Sequence, residues 1–306
     1  MSRTVALGML LLSTLLYSNQ SLSITANQQI NDNSFYGEWQ WSDTQGQYQQ
    51  LKLQFSEDLV EQSEVETFRL SYSLTYPSQA ISAYLSPRLE HAVAMINQYV
   101  DDPETRLDDI LQALRSDSDS PSSKMLWDAY EQYTHDAFRH LGLLPCLHPQ
   151  GAQYPCVRPN YSQLFYQNRD RVSPIIDHFT RQGDLNRSLA EAQAWLLTIP
   201  SKQENNYSFT SPVDVLKDNR ADSDERALLL ALVLSELAPN YPLYMVYPAD
   251  SVGSASPAWL TIDASSGIEG PTVIIGDSAH TLVSGSSELI KEMLLAEVQL
   301  ISDALY

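Results

Sequence analysis

An α+β fold is predicted for this chain by three features of its apolar pattern: strict alternation near the N-terminus, a helical period from Arg88 onward, and a run over residues 227–237 that is apolar nearly all round. Within residues 35–76, Trp39 and Trp41 alternate with polar neighbours, and Leu51, Leu53 and Phe55 alternate with Lys52 and Gln54. Phe68, Leu70, Tyr72, Leu74 and Tyr76 keep the same period of two. Alternation sets one strand face on a core and the other in water. The segment therefore reads as a small antiparallel β meander, with SDTQGQ as a turn and both tryptophans in the core rather than as exposed binding aromatics.

From Arg88 the period lengthens, and Leu89, Val93, Ile96 and Val100 share one helical face. Asp102-Pro103 is a start signal for a second stripe, Leu107, Ile110, Leu111 and Leu114. The segment SDSDSPSS (116–123) reads as a solvated loop, since its alternating acids lack the glycine and distal glutamate of a calcium loop. A third helix is expected over 125–141, stopped by Gly142. Val172, Ile175, Ile176 and Phe179 mark another, and Leu189, Ala192, Trp195, Leu196 and Ile199 one more. The expected organisation is a signal peptide (1–26), a β-rich segment (27–80), a helical region with the cysteine loop (81–159) and an α+β core (160–306).

The compartment is read from the N-terminus. Arg3 is the only charge before an apolar run from Val5 to Tyr17, followed by small and polar residues and a cleavage-like Ile24-Thr25-Ala26. That run is shorter than the ~18 residues of a membrane-spanning helix. A soluble periplasmic protein is expected, the alternative being a chain tethered by an uncleaved N-terminal anchor. Without residues 1–26, 38 acidic side chains face 17 basic ones, a net charge of about −21 that repels nucleic acid and anionic lipid. Neither nucleic acid nor a direct membrane span is expected for the mature chain. Cys146 and Cys156 lie in a proline-stiffened loop, where an oxidising compartment favours a disulfide. A zinc site adding His140 and His148 matches no common ligand spacing.

The stretch that bears on chemistry is SPVDVLKDNRADSDERALLLALVLSELAPNYPLYMVYPAD with the following PAWLTIDASSG. The first part reads as a loop, a buried helix beginning near Ser223, and a strand over 243–247. A helix N-terminus beside a polar loop favours negative charge and, for a cysteine, creates the thiolate. This order resembles the transglutaminase-like superfamily of papain-like cysteine hydrolases, over roughly residues 160–280. Pro212 and Leu216 match its Pro-x-x-x-Leu loop, and Ala221-Asp222-Ser223 stands where Gly-Asp-Cys opens the central helix. Ala227 matches a small residue one turn on, and Trp259 to Ser265 has the spacing of Trp-x-x-x-Asp-Pro-Thr. The resemblance implies a papain-like α+β core, its central helix buried against an antiparallel sheet that includes 243–247 and 258–263.

The departures bear on activity. Ser223 replaces the cysteine, and a hydroxyl needs an adjacent general base. Pro257 stands where His-Ala-Trp would supply that base, and residues 244–256 hold no histidine. Only Asp263 of the three catalytic roles is retained, so no catalytic residue is expected. His280, the one histidine after Ser223, is a displaced-base candidate for a convergent Ser223–His280–Asp263 triad. Ser223 otherwise reads as a helix N-cap. The expected function is a non-catalytic binding or scaffolding module for peptide or protein, with Asp222, Ser223, Trp259 and Asp263 as binding positions. The alternative is a serine-dependent hydrolase or acyltransferase on peptide or amide bonds. No cofactor is expected, because no phosphate-cradling loop, dinucleotide fingerprint or HExxH occurs. No metal is expected either, since His135 and His140 stand five apart and face different ways along a helix.

Overall fold

The computed structural model describes residues 27–31, 34–43, 45–99, 121–146, 156–180, 184–202, 208–249, 257–285 and 287–306. The expected signal peptide, the helix over 102–114 and the start of the polar stretch at 116–120 lie outside the described residues. The chain opens with an antiparallel meander, β1 (Asn27–Asn31), β2 (Ser34–Ser42) and β3 (Tyr48–Ser56), paired in that order. As the alternation requires, Phe35, Trp39 and Trp41 of β2 and Leu51, Leu53 and Phe55 of β3 point into the core. The Trp39 indole packs edge-on against Trp195 and donates a 2.9 Å hydrogen bond to Asn219 Oδ1.

The third expected strand is a helix, α1 (Glu57–Thr75), so the β-rich segment stops at Ser56 rather than reaching residue 80. The alternation over Phe68–Tyr76 combines two populations: Leu70 and Leu74 are buried, whereas Phe68 is 74 % exposed and Tyr72 and Tyr76 also face outward. The buried set is Ser63, Glu66, Leu70, Ser73 and Leu74, in steps of three and four once its polar members are counted. Ser56 caps the helix by accepting from the Leu59 N–H, and Glu57 and Asp58 sit at the positive end of its dipole.

Helix α2 (Pro77–Tyr99) includes the expected Leu89, Val93 and Ile96 face, and packs against α3 (Pro121–Leu141) through Leu85, Leu89 and Ala137. Helix α3 starts at Pro121, so residues 121–123 of the expected loop are its first turn. Gly142 ends it with φ +69°, a conformation that favours glycine. A short hairpin follows, β4 (Leu143–Pro145) with β5 (Val157–Pro159), and the Cys146–Cys156 disulfide joins its strands just beyond the last pair.

Four helices then lead to the centre: α4 (Tyr161–Asn168), α5 (Ser173–Thr180), α6 (Leu185–Leu196) and α7 (Pro212–Asp218). All four pack on α8 (Ser223–Leu237), whose other side meets strands β6 (Leu243–Pro248) and β7 (Trp259–Asp263). Every residue from Ala227 to Leu234 is buried. Burial of each of its leucines contributes about 2 kcal/mol. Strands β8 (Thr272–Ile275) and β9 (Ser278–Leu282), helix α9 (Ser287–Leu295) and strand β10 (Leu300–Ala304) complete the fold. The five-stranded sheet is antiparallel throughout, in the order β10-β6-β7-β9-β8. Its α8 face carries Leu243, Met245, Leu260 and Ile262. The opposite face carries Val246, Trp259, Val273 and Leu282 under Ile290 of α9.

One core of buried residues runs from Phe35 to Leu305, joining the meander, the helices and the α8 face of the sheet. A polar clamp fastens the disulfide hairpin to the sheet edge. Arg158 of β5 makes a 2.9 Å ion pair with Asp303 of β10 and lies 4.0 Å from the centre of the Tyr247 ring, while the Tyr247 hydroxyl donates to the same carboxylate. No helix among the described residues is long and apolar enough to cross a membrane. Replacing both cysteines by serine should lower stability by about 2–3 kcal/mol on the chain-entropy relation. Urea unfolding of the double variant beside the oxidised parent measures this, and an unchanged midpoint would show that the hairpin is held by the Arg158 clamp alone.

Candidate functional site

The N-terminus of α8 is built by a capping box. The Asp222 side chain accepts from the Glu225 N–H at 3.1 Å, and the Glu225 carboxylate accepts from the Asp222 N–H at 3.0 Å. The N-cap is therefore Asp222, one residue earlier than expected, and Ser223 is the first helical residue, exposed at the surface. The D-x-x-E spacing at 222–225 is the signal that outranks serine here.

Beneath this cap three carboxylates are buried together: Asp222, Asp224 and Glu225. Tyr161 donates to Asp224 at 2.8 Å. Glu225 also accepts from the Thr210 N–H at 2.5 Å and from the Lys202 ammonium at 3.4 Å. Burial, and then the neighbouring Asp222, push the Glu225 carboxyl up to about 7 against the pull of Lys202. The same two causes raise Asp224 well above the usual carboxylate range. These groups fasten the loop before α7 to the start of α8, and they turn away from the surface.

A cleft of about 570 Å³ opens on the other side of the Ser223 turn. Ser223, Arg226 and Leu230 of α8 form one wall, and Trp259, Pro271 and Gly285 lie among the residues opposite. Glu269 and Glu288 add carboxylates to its lining. Arg226 is anchored by a 2.8 Å hydrogen bond to the Ile199 carbonyl. Gly285, at φ +88°, lies so close to the Trp259 ring that an added Cβ would come within 1.9 Å of Cδ1.

Of the expected binding positions, Ser223 and Trp259 meet in this cleft, although Trp259 presents little more than an edge. Asp222 is consumed by the cap. Asp263 sits four residues further along β7, about 13 Å at strand rise, where it accepts from the Ser265 N–H at 2.8 Å and from its hydroxyl. Those hydrogen bonds hold its carboxyl below the usual value. Pro257 lies two residues before Trp259, the first residue of β7, and is not among the residues lining the cleft.

His280 is the cross-strand partner of Asp263 in the β7–β9 pair. It is buried, its Nδ1 lies 3.2 Å from Thr261 Oγ1, and its ring packs edge-on against Tyr244. Thr261 and Tyr244 share their strand faces with Trp259 and Val246, so His280 occupies the sheet face turned away from α8. Burial lowers its pKa, and the charge of Asp263 opposes that only in part. The structure thus brings His280 and Asp263 together as cross-strand partners, and neither is among the residues lining the cleft beside Ser223. Among the described residues, no group of three or more His, Cys, Asp or Glu side chains is arranged to hold a metal ion.

Sequence reasoning missed Arg226, Glu269 and Glu288 as cleft residues, and Tyr161 and Lys202 as partners of the buried acids. The glycine at 285, in SGSS after an apolar strand, is the one local signal of a close approach. Comparison with protein-family models, curated proteins and solved structures finds no match for this chain, so the transglutaminase-like resemblance rests on its motifs alone.

Two outcomes are expected. Gly285→Ala should cost more than about 2 kcal/mol, because both the backbone and Trp259 must move; chemical denaturation reads this directly. The raised Glu225 carboxyl holds its proton in the folded chain at pH values where the unfolded chain has released it. Stability therefore falls as pH rises from its ordinary 4.5 towards about 7. Glu225→Gln should flatten that decline by about 3 kcal/mol. Urea midpoints of parent and variant at pH 5 and pH 8 test it, and parallel declines would remove Glu225 as the source.

Proposed function

We propose that this chain is a non-catalytic exported binding module of transglutaminase-like descent, holding an extended peptide in the cleft beside Ser223. The observation that carries this reading is the cleft itself, which joins the first turn of a fully packed helix to the residues just before an edge strand. Its lining reaches Pro271, and Thr272 begins β8, the outermost strand of the sheet. The sheet curls so that β8 comes against β10, and an extended segment would therefore lie in the cleft itself, along the backbone of Glu269–Pro271 and Val283–Gly285. The apolar floor of Leu230, Ala258 and Leu282 suits side chains of such a segment, while Arg226, Glu269 and Glu288 offer polar contacts. Export is supported by the disulfide and by the layout of residues 1–26.

The burial of His280 beside Thr261, and its absence from the lining of the cleft, weigh against the alternative of a Ser223 hydrolase. A serine hydroxyl without a base at about 3 Å has no means of activation. Selection of a displayed library of linear peptides against the chain, followed by hydrogen exchange of the chain with an enriched peptide, tests the proposal. Protection is expected at 269–270 and 283–285, with binding lost in Ser223→Trp and kept in Ser223→Ala. Protection elsewhere would overturn the peptide site. Ser223-dependent turnover of an ester or peptide substrate would replace it with the hydrolase reading.

A further inference from the structure

The outward face of α1 carries a stripe that the fold does not use. Asp58, Glu61, Val65, Phe68 and Tyr72 follow one another in steps of three, four, three and four, the spacing of a coiled-coil seam. All five are exposed, with Val65 at 66 % and Phe68 at 74 %. Tyr76, also exposed, extends the line, its ring 5.6 Å from that of Tyr72. Scattered surface apolar residues are ordinary, but a contiguous line of valine, phenylalanine and two tyrosines on one helix marks a contact surface.

Two further features say what fits it. The acids at the start of the stripe are available: Glu64 and Glu66 hold Lys217 and Arg171, whereas Asp58 and Glu61 pair with no base among the described residues. Beside the stripe runs a groove of about 560 Å³, lined by Asp58, Glu61 and Val65 on α1 and by Gln167 and Arg171 across from it. Arg69 also lines this groove, and its Nε, shielded from solvent, donates to no acceptor among the described residues.

We infer that the α1 face docks an amphipathic helix of another protein, with apolar residues at heptad spacing opposite Val65, Phe68 and Tyr72 and lysine or arginine opposite Asp58 and Glu61. A second copy of this chain is a poor occupant. A parallel α1 pair would set acid against acid, an antiparallel pair would set Asp58 and Glu61 against aromatic rings, and the whole chain carries a net charge of −20. The surface shares no lining residue with the Ser223 cleft, so the inference does not rest on the proposed peptide site.

The test uses the full chain and two labelled three-heptad model helices, one of leucine and lysine, the other with every lysine replaced by glutamate. Fluorescence anisotropy should give a Kd of the order of 10 µM for the lysine helix and no binding of the glutamate helix. Val65→Ser with Phe68→Ser should weaken binding at least tenfold while leaving the unfolding midpoint unchanged, because both side chains are in solvent. Asp58→Lys with Glu61→Lys should reverse the preference between the two helices. Hydrogen exchange should place the protection on 57–75. Equal binding by the serine variant, or protection confined to another segment, would overturn the inference. So would self-association, or adsorption to phosphatidylethanolamine–phosphatidylglycerol vesicles, that the serine variant abolishes: the first assigns the face to a second copy, the second to a membrane.

Discussion

A helix that is apolar around its whole circumference cannot lie on a surface, and the rest of this fold is a set of answers to that requirement. Helix α8 needs cover on every side, so α4 to α7 close one half of the cylinder and β6 and β7 close the other. The meander β1–β3 then packs on the outside of α5, α6 and α7, where Trp39 and Trp41 fill the space beside Trp195 and Phe179. What stays open at the start of α8 is the side that carries Ser223 and part of Arg226, before the apolar run begins. The cleft lies there because that is where packing ends.

Much of this was legible in the chain before any geometry. Strands β2 and β3 of the meander, the faces of α2, α5 and α6, and the buried helix α8 followed by strand β6 all follow from apolar spacing. The failure at α1 has a definite cause. Its buried face includes Ser63, Glu66 and Ser73, which no hydrophobicity pattern counts, while its exposed face includes Phe68, Tyr72 and Tyr76, which such a pattern counts as core. Two surfaces were superimposed, and their sum mimicked a period of two.

The candidate site was less legible, because its chemistry is assembled across distance. The partners of the acids below Ser223 arrive from Tyr161, 63 residues before Asp224, and from Lys202, 23 residues before Glu225. No local spacing encodes those meetings. Likewise His280 and Asp263 are both visible as candidates, but strand register alone decides that they face each other on the side of the sheet away from α8. The cap moved by one residue for a local reason, the reciprocal bonding of Asp222 and Glu225, and with it Ser223 passed from a structural post to an exposed one.

The clamp at the sheet edge has a consequence for the order in which the chain becomes native. Cys146 and Cys156 are ten residues apart and meet within a local hairpin. Arg158, beside them, meets Asp303 only across 145 residues, and Tyr247 meets it across 56. Contacts of such separation close late. A chain emerging from its N-terminus therefore makes its covalent link early, then carries an open strand edge on β6 and an unmatched guanidinium until β10 arrives. Until β10 pairs with β6, that edge is a place where a wrong strand could add.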